Sequence, residues 1–220
     1  MHVEPPAHAP QTLKDFAKHY LMIVLGILTA VGVEQGLEAL HHHRLAAEAT
    51  QQIDEELRSN LRESQRSLDE NRKRLAALHA TALALSADVS AGDTSPAKFS
   101  QRIGAITIGS ATPTLRRDAW EAAIASQALS YVDAARVRRY SEGYSAQRDV
   151  TQAMLATFSL GNWPGRLQDS IVDAKLGHVD QAALLKALAS YQLAIAAIAE
   201  NEREMVEAFG AALGAGRAAH

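Results

Sequence analysis

From Tyr20 to Val33 the chain reads "YLMIVLGILTAVGV", fourteen residues without a charge. Beyond it the pattern becomes an apolar stripe among charged residues. Leu61, Leu68, Leu75 and Ala82 recur every seven positions, and Leu57, Ser64, Asn71, Leu78 and Leu85 form a second row. Together these are the a and d positions of a heptad, with polar interruptions at Ser64 and Asn71. No proline occurs between Thr12 and Val89, and glycine only at 26, 32 and 36. The spacing predicts one helix over that whole stretch, with Thr12 as N-cap and Asp15 at its third position. At ~1.5 Å per residue this is a rod of roughly 110 Å. The seam predicts packing against the chain's own later helices, with a self-associating coiled coil as the alternative.

"SAGDTSPAKFS" (90–100) is rich in turn formers and ends the rod. "RIGAITIGSATPT" (102–114) predicts a loop or short helix. Thr112 before Pro113 predicts a helix start, with the helix running to about Tyr131. Asp133 is placed to cap the next helix, in which Val137, Tyr140, Tyr144, Thr151, Met154 and Phe158 share a face, and Gly161 is placed to stop it. "NWPGRLQDSIVDAKLG" reads as a turn plus a short helix. Asp180 caps a last helix whose stripe is Leu184, Leu188, Tyr191, Ile195, Ile198, Met205 and Phe209, broken by Glu202; Gly210, Gly214 and Gly216 fray its end. Trp120, Ile124 and Leu129 are expected to pack with Leu188, Ile195 and Ile198. The pattern predicts an all-α protein: a transmembrane helix continuous with a long helix, packed into an antiparallel bundle. The expected divisions are a disordered tail (1–11), an anchor (12–40), a long membrane-proximal helix (41–89) and distal bundle elements (90–216).

The uncharged core is short for a spanning helix, which needs about 20 residues. Leu13, Phe16 and Ala17 extend it on one side, and Gly36, Leu37, Ala39 and Leu40 on the other. A cleaved signal is the rival reading, because Ala30-Val31-Gly32 puts small residues before Val33. The helical pattern runs through that point without a turn former, which favours a retained anchor. Lys14 and Lys18 precede the span, and Arg44 alone follows it closely. This bias predicts a bacterial inner-membrane protein with its bulk in the periplasm.

Composition narrows the chemistry. The net charge of −3 and pI near 6.3 lack the basic excess of nucleic-acid binders. Without cysteine there is no disulfide and no thiolate chemistry. No nucleophile elbow, phosphate loop, dinucleotide fingerprint or His-Glu-x-x-His is present, so neither an enzyme nor a cofactor is expected. Glu34, Glu38 and His41 fall on one helix face, and an ionisable residue at membrane depth is a functional candidate. Glu38 and His41 have Glu-x-x-His spacing, but a di-iron bundle needs a second such pair and the chain has none. His41, His42 and His43 project about 100° apart on a helix. No metal site is therefore expected, and a polar collar at headgroup level is the simpler reading. Gly26 with Ala30, and Gly32 with Gly36, are small-xxx-small pairs through which two spanning helices could dimerise. Arg116, Asp118 and Glu121 read as solvated residues beside Trp120.

Two segments, "YLMIVLGILTAVGVEQGLEALHHHR" and "LRRDAWEAAIASQALSYVD" with Trp120, Ser126, Leu129 and Val132, together resemble a family of uncharacterised bacterial membrane-anchored helical proteins. In these a short anchor leads into a long helix, and a Trp-containing helix follows. Gln127 stands where that resemblance leads one to expect glycine. The resemblance implies an architecture and no activity. The expected role is non-enzymatic: a single-pass scaffold, accessory or interaction protein with protein partners, and with a homodimer possible through the glycine pairs. The alternatives are a ligand-sensing helical bundle and an exported soluble protein.

Overall fold

The computed structural model describes residues 13–93, 95–104, 106–160, 163–178 and 180–214. Thr12, Gly161 and Gly216 lie outside these, as do the side chains of Asp15, Phe158 and Trp163. Among the described residues there are six α-helices and no strand: α1 (Leu13–Ser90), α2 (Pro96–Gly104), α3 (Asp118–Ala125), α4 (Ala134–Leu160), α5 (Trp163–Lys175) and α6 (Gln181–Ala212). A 3-10 turn, Ala128–Tyr131, joins α3 to α4.

The rod forms as its pattern predicts. α1 is 78 residues long, about 117 Å. Its two halves have different surroundings. From Leu13 to Leu40 the large apolar side chains lie almost wholly in the open. From Ala46 onward one face is buried: Ile53, Leu57, Leu68, Leu78 and Leu85 are in the core, and Leu61, Leu75 and Ala82 pack against it. The heptad seam is thus consumed within the chain, chiefly by α6.

α6 supplies the predicted stripe. Asp180 caps it, its Oδ1 accepting from the Ala183 amide at 3.0 Å. Leu184, Leu188, Tyr191, Ile195, Ile198, Met205 and Phe209 are all buried. Two helices are long and apolar enough to cross a membrane, α1 and α6. The apolar window of α6 is 44% buried inside the fold and that of α1 is 0% buried. The hydropathy of α6 is therefore that of a core helix.

Partners along the axis give the topology. Ser67 and Asn71 meet Glu202, while Leu57 and Ala212 flank Gly143, so α6 runs antiparallel to α1. Tyr140 meets Asp54 and Tyr144 meets Glu56, so α4 runs parallel to α1. Of the three long helices α1, α4 and α6, α6 alone runs against the other two. α4 and α6 come close at Gly143, where a Cβ would stand 2.9 Å from the Ala212 Cβ. At the far end α5 packs on α6 and α2, contributing Leu167, Ile171 and Ala174. Asp88 ties α2 to α1 through ion pairs with Arg102 and with Lys98, the latter at 3.1 Å. The Arg102 hydrogen bond holds the Asp88 carboxyl below the usual carboxylate range.

The parallel arrangement needs a return path, and residues 106–117 provide it without helix. They run back along α1 as an extended strap. This corrects the helix predicted from Thr112 to Tyr131, because side chains from three helices hold the backbone extended. Helix begins only at Asp118 and breaks after Ala125, where Gln127 adopts φ 58. Gln127 is the one non-glycine residue with positive φ among those described, at the position where the family resemblance leads one to expect glycine. Three side chains also differ from expectation. Ile124 is 52% exposed, and Thr151 turns outward while Val150 enters the core. Trp120 is buried but stacks on Tyr144 of α4, ring centroids 5.2 Å apart.

Candidate functional site

The collar residues lie on the last turns of α1 before the bundle begins. Glu34, Glu38 and His41 are exposed. Glu38 sits 3.9 Å from His42, one turn on, rather than pairing with His41. No group of three metal-ligating side chains exists among the described residues. A Cβ added at Gly26, Gly32 or Gly36 would meet nothing within 4 Å, and Ala30 is likewise exposed. The structure thus brings none of the predicted site residues together with another element, except through His42. The His42 ring stacks on Tyr131 at 3.9 Å and 12°, fixing the 3-10 turn against α1 at the collar.

Directly beyond that stack lies an open cleft of about 750 Å³ between α1 and the start of α4. His43, Thr50, Asp54 and Arg58 line it from α1, and Arg136 and Arg139 from α4. Its acids are already engaged. Asp54 accepts from the Tyr140 hydroxyl at 2.6 Å and pairs with Arg58 at 3.5 Å. Asp133 caps α4, accepting from the Arg136 amide at 2.9 Å. Arg136 and Arg139 form no ion pair among the described residues, and the buried Nε of Arg139 has no hydrogen-bond partner. Burial and the Asp54 carboxylate together push the Tyr140 phenol well above its ordinary value, so it stays a neutral donor.

A second polar cluster occupies the heptad seam. Asn60 and Asn71 are about three turns apart on α1 and both are buried. Each carboxamide pairs with one residue of the strap as a neighbouring peptide would. Asn71 donates to the Ala111 carbonyl and accepts from the Ala111 amide, both at 2.9 Å. Asn60 does the same with Arg116, at 2.7 and 2.9 Å. The Tyr191 hydroxyl accepts from the Gly109 amide at 2.6 Å and donates to its carbonyl at 2.7 Å. Glu56 accepts from the Ala119 amide at 3.0 Å, satisfying the first turn of α3, whose N-cap Arg117 makes no side-chain cap. Tyr144 donates to the same carboxylate at 2.6 Å.

Glu202 completes this cluster at 0% exposure. Ser67 donates to it, and the Asn71 amide lies 3.0 Å from both of its oxygens. Burial raises its carboxyl above the ordinary value, against those two hydrogen bonds and with Glu70 nearby. The cluster is a clamp on the strap, since its groups face protein donors and acceptors. The cleft is different, because its two α4 arginines have no carboxylate partner among the described residues: Arg136 is exposed, and Arg139 donates to the Ala135 carbonyl at 3.4 Å.

Sequence reasoning missed both places. The available signal for the clamp was the polar interruption of otherwise apolar stripes at Asn71 and Glu202; Ser64 interrupts the seam too but takes no part in the clamp. The cleft had no signal, because Arg136 and Arg139 meet His43 only through the fold. No family model, no curated protein and no solved structure matches the chain.

Proposed function

We propose that the chain is a single-pass membrane protein, retained through Leu13–Leu40, that projects a non-enzymatic helical domain from the bilayer and acts through protein contacts as a scaffold or accessory subunit. The carrying observation is the contrast within α1: its first half has bare apolar side chains on every face, and its second half is built into a bundle. A helix apolar all round belongs in lipid. Lys14 and Lys18 before the span, against Arg44 after it, favour a bacterial inner-membrane protein with a periplasmic bundle. Glu34 and Glu38 then lie toward the outer interface, where carboxylates reach water at low cost. The glycine pairs remain open for a second copy of the span.

Mass spectrometry of the membrane fraction, with protease added from outside, tests this reading. An intact N-terminal segment and an externally cleaved bundle are expected. A mature chain starting at Val33 in the soluble periplasm would overturn the anchor. A bundle protected in intact spheroplasts would reverse the orientation and keep the span.

A further inference from the structure

We propose that the cleft between His43 and Arg139 holds the phosphate of an anionic phospholipid in the leaflet from which α1 emerges. The inference rests on the membrane-anchor reading and adds a specific ligand to it. Position is the first argument. His43 is three residues past Leu40, about 4.5 Å along the axis. Tyr131 is level with His42 and Tyr140 with Asp54, so Arg136 lies between them, roughly 15 Å beyond Leu40. α4 runs parallel to α1, so its side chains lean back toward its N-terminus and hence toward the bilayer. Reaching back, the Arg136 side chain spans about half of that height and meets the headgroup layer, which extends some 5–8 Å from the hydrocarbon, while Arg139 lies about 4.5 Å further out and lends its charge from behind.

Charge is the second argument. Asp54 is paired with Arg58, Asp133 accepts only the Arg136 amide, and Arg136 and Arg139 have no carboxylate partner among the described residues, so the three arginines outweigh the two acids that line the cleft. The third argument is continuity. The cleft opens beside the collar at which the bare apolar surface ends, so a lipid whose acyl chains lie along α1 has its headgroup at the cleft mouth.

The test uses the full chain reconstituted into vesicles of phosphatidylcholine alone, or with one-fifth phosphatidylglycerol, then released for native mass spectrometry. Flotation with the neutral vesicles reports the anchor independently of the cleft. The ratio of retained phosphatidylglycerol to phosphatidylcholine is expected to exceed the bulk ratio by roughly fivefold, the guide for one engaged arginine. R136Q/R139Q, which alters neither α1 nor the clamp, should float equally and lose that preference. R148Q, at an exposed site on α4 paired with Asp149, should keep it. Retention at bulk composition, an unchanged preference in R136Q/R139Q, or equal displacement of both lipids by inorganic phosphate would overturn the cleft assignment and leave the anchor standing. Failure to float with either vesicle would overturn both.

Discussion

The two halves of α1 share a backbone conformation and almost nothing else. Between Leu13 and Leu40 the apolar residues occupy every face and meet nothing in the fold. Between Ala46 and Ser90 they occupy one face, and Glu56, Asn60, Ser67 and Asn71 are buried among them. Helix formation in both follows from local propensity and the absence of proline. What differs is the work asked of the side chains. The first half exposes apolar side chains on all sides. The second half must fill one groove and also satisfy a strap that has no secondary structure of its own. A buried extended segment cannot leave its peptide groups unpaired, so Asn71 stands where a simple heptad would place leucine, with Asn60 and Glu56 beside the seam.

The same substitution in each half separates these roles, and has the largest expected effect. Leu68→Asp puts an unpaired carboxylate in the seam and should destabilise the bundle by about 3 kcal/mol in denaturant titration. Leu25→Asp should leave that titration unchanged in detergent while lowering membrane insertion by about 3 kcal/mol. An unchanged melting temperature for Leu68→Asp would mean the seam is solvated.

Asn71→Ala sharpens the contrast within the second half. It removes both bonds to Ala111 and one donor to Glu202, and should cost about 2 kcal/mol. Hydrogen exchange at residues 109–116 should accelerate well beyond that of α4. Uniform acceleration across the bundle would show that the strap is not held by this residue separately.

Glu202 gives the clamp a pH dependence. Its folded carboxyl is raised by burial, so the native state keeps its proton to higher pH than the unfolded chain. Stability from this group is therefore full below the ordinary carboxylate value and falls as pH rises through the window up to the raised one. The slope there is at most ~1.4 kcal/mol per pH unit for one proton. Glu202→Gln should flatten that slope and raise stability at neutral pH, as measured by urea unfolding between about pH 4 and 8. An identical pH profile in the variant would place the titration elsewhere.

The smallest effect is expected at Gln127. Its left-handed backbone favours glycine, so Gln127→Gly should stabilise by about 0.5 kcal/mol, the relief of strain being partly offset by a more flexible unfolded chain. A loss of more than about 1 kcal/mol would mean the glutamine side chain contributes a contact of its own.

Much of the helical framework was legible in the amino-acid order, because its signals are local. Periodicity marked the buried stripes of α1 and α6, and Asp133 and Asp180 marked the starts of α4 and α6. The apolar run at the N-terminus marked the half of α1 that finds no partner in the fold. Other features depended on residues far apart in the chain. Thr112-Pro113 has a sound local helix signal, yet Asn60, Asn71 and Tyr191 offer its neighbours better hydrogen bonds in extended form. That strap makes α4 parallel to α1, which no periodicity could indicate. Glu202 looked like a break in a stripe until Ser67 and Asn71 were brought to it from 135 and 131 residues away. The cleft exists only because the parallel α4 returns Arg136 and Arg139 to the side of His43. Local order determines which segments are helical, since caps and side-chain periodicity act within a few turns. Tertiary structure decides which polar groups meet, since a buried donor is satisfied by whichever acceptor the packing delivers.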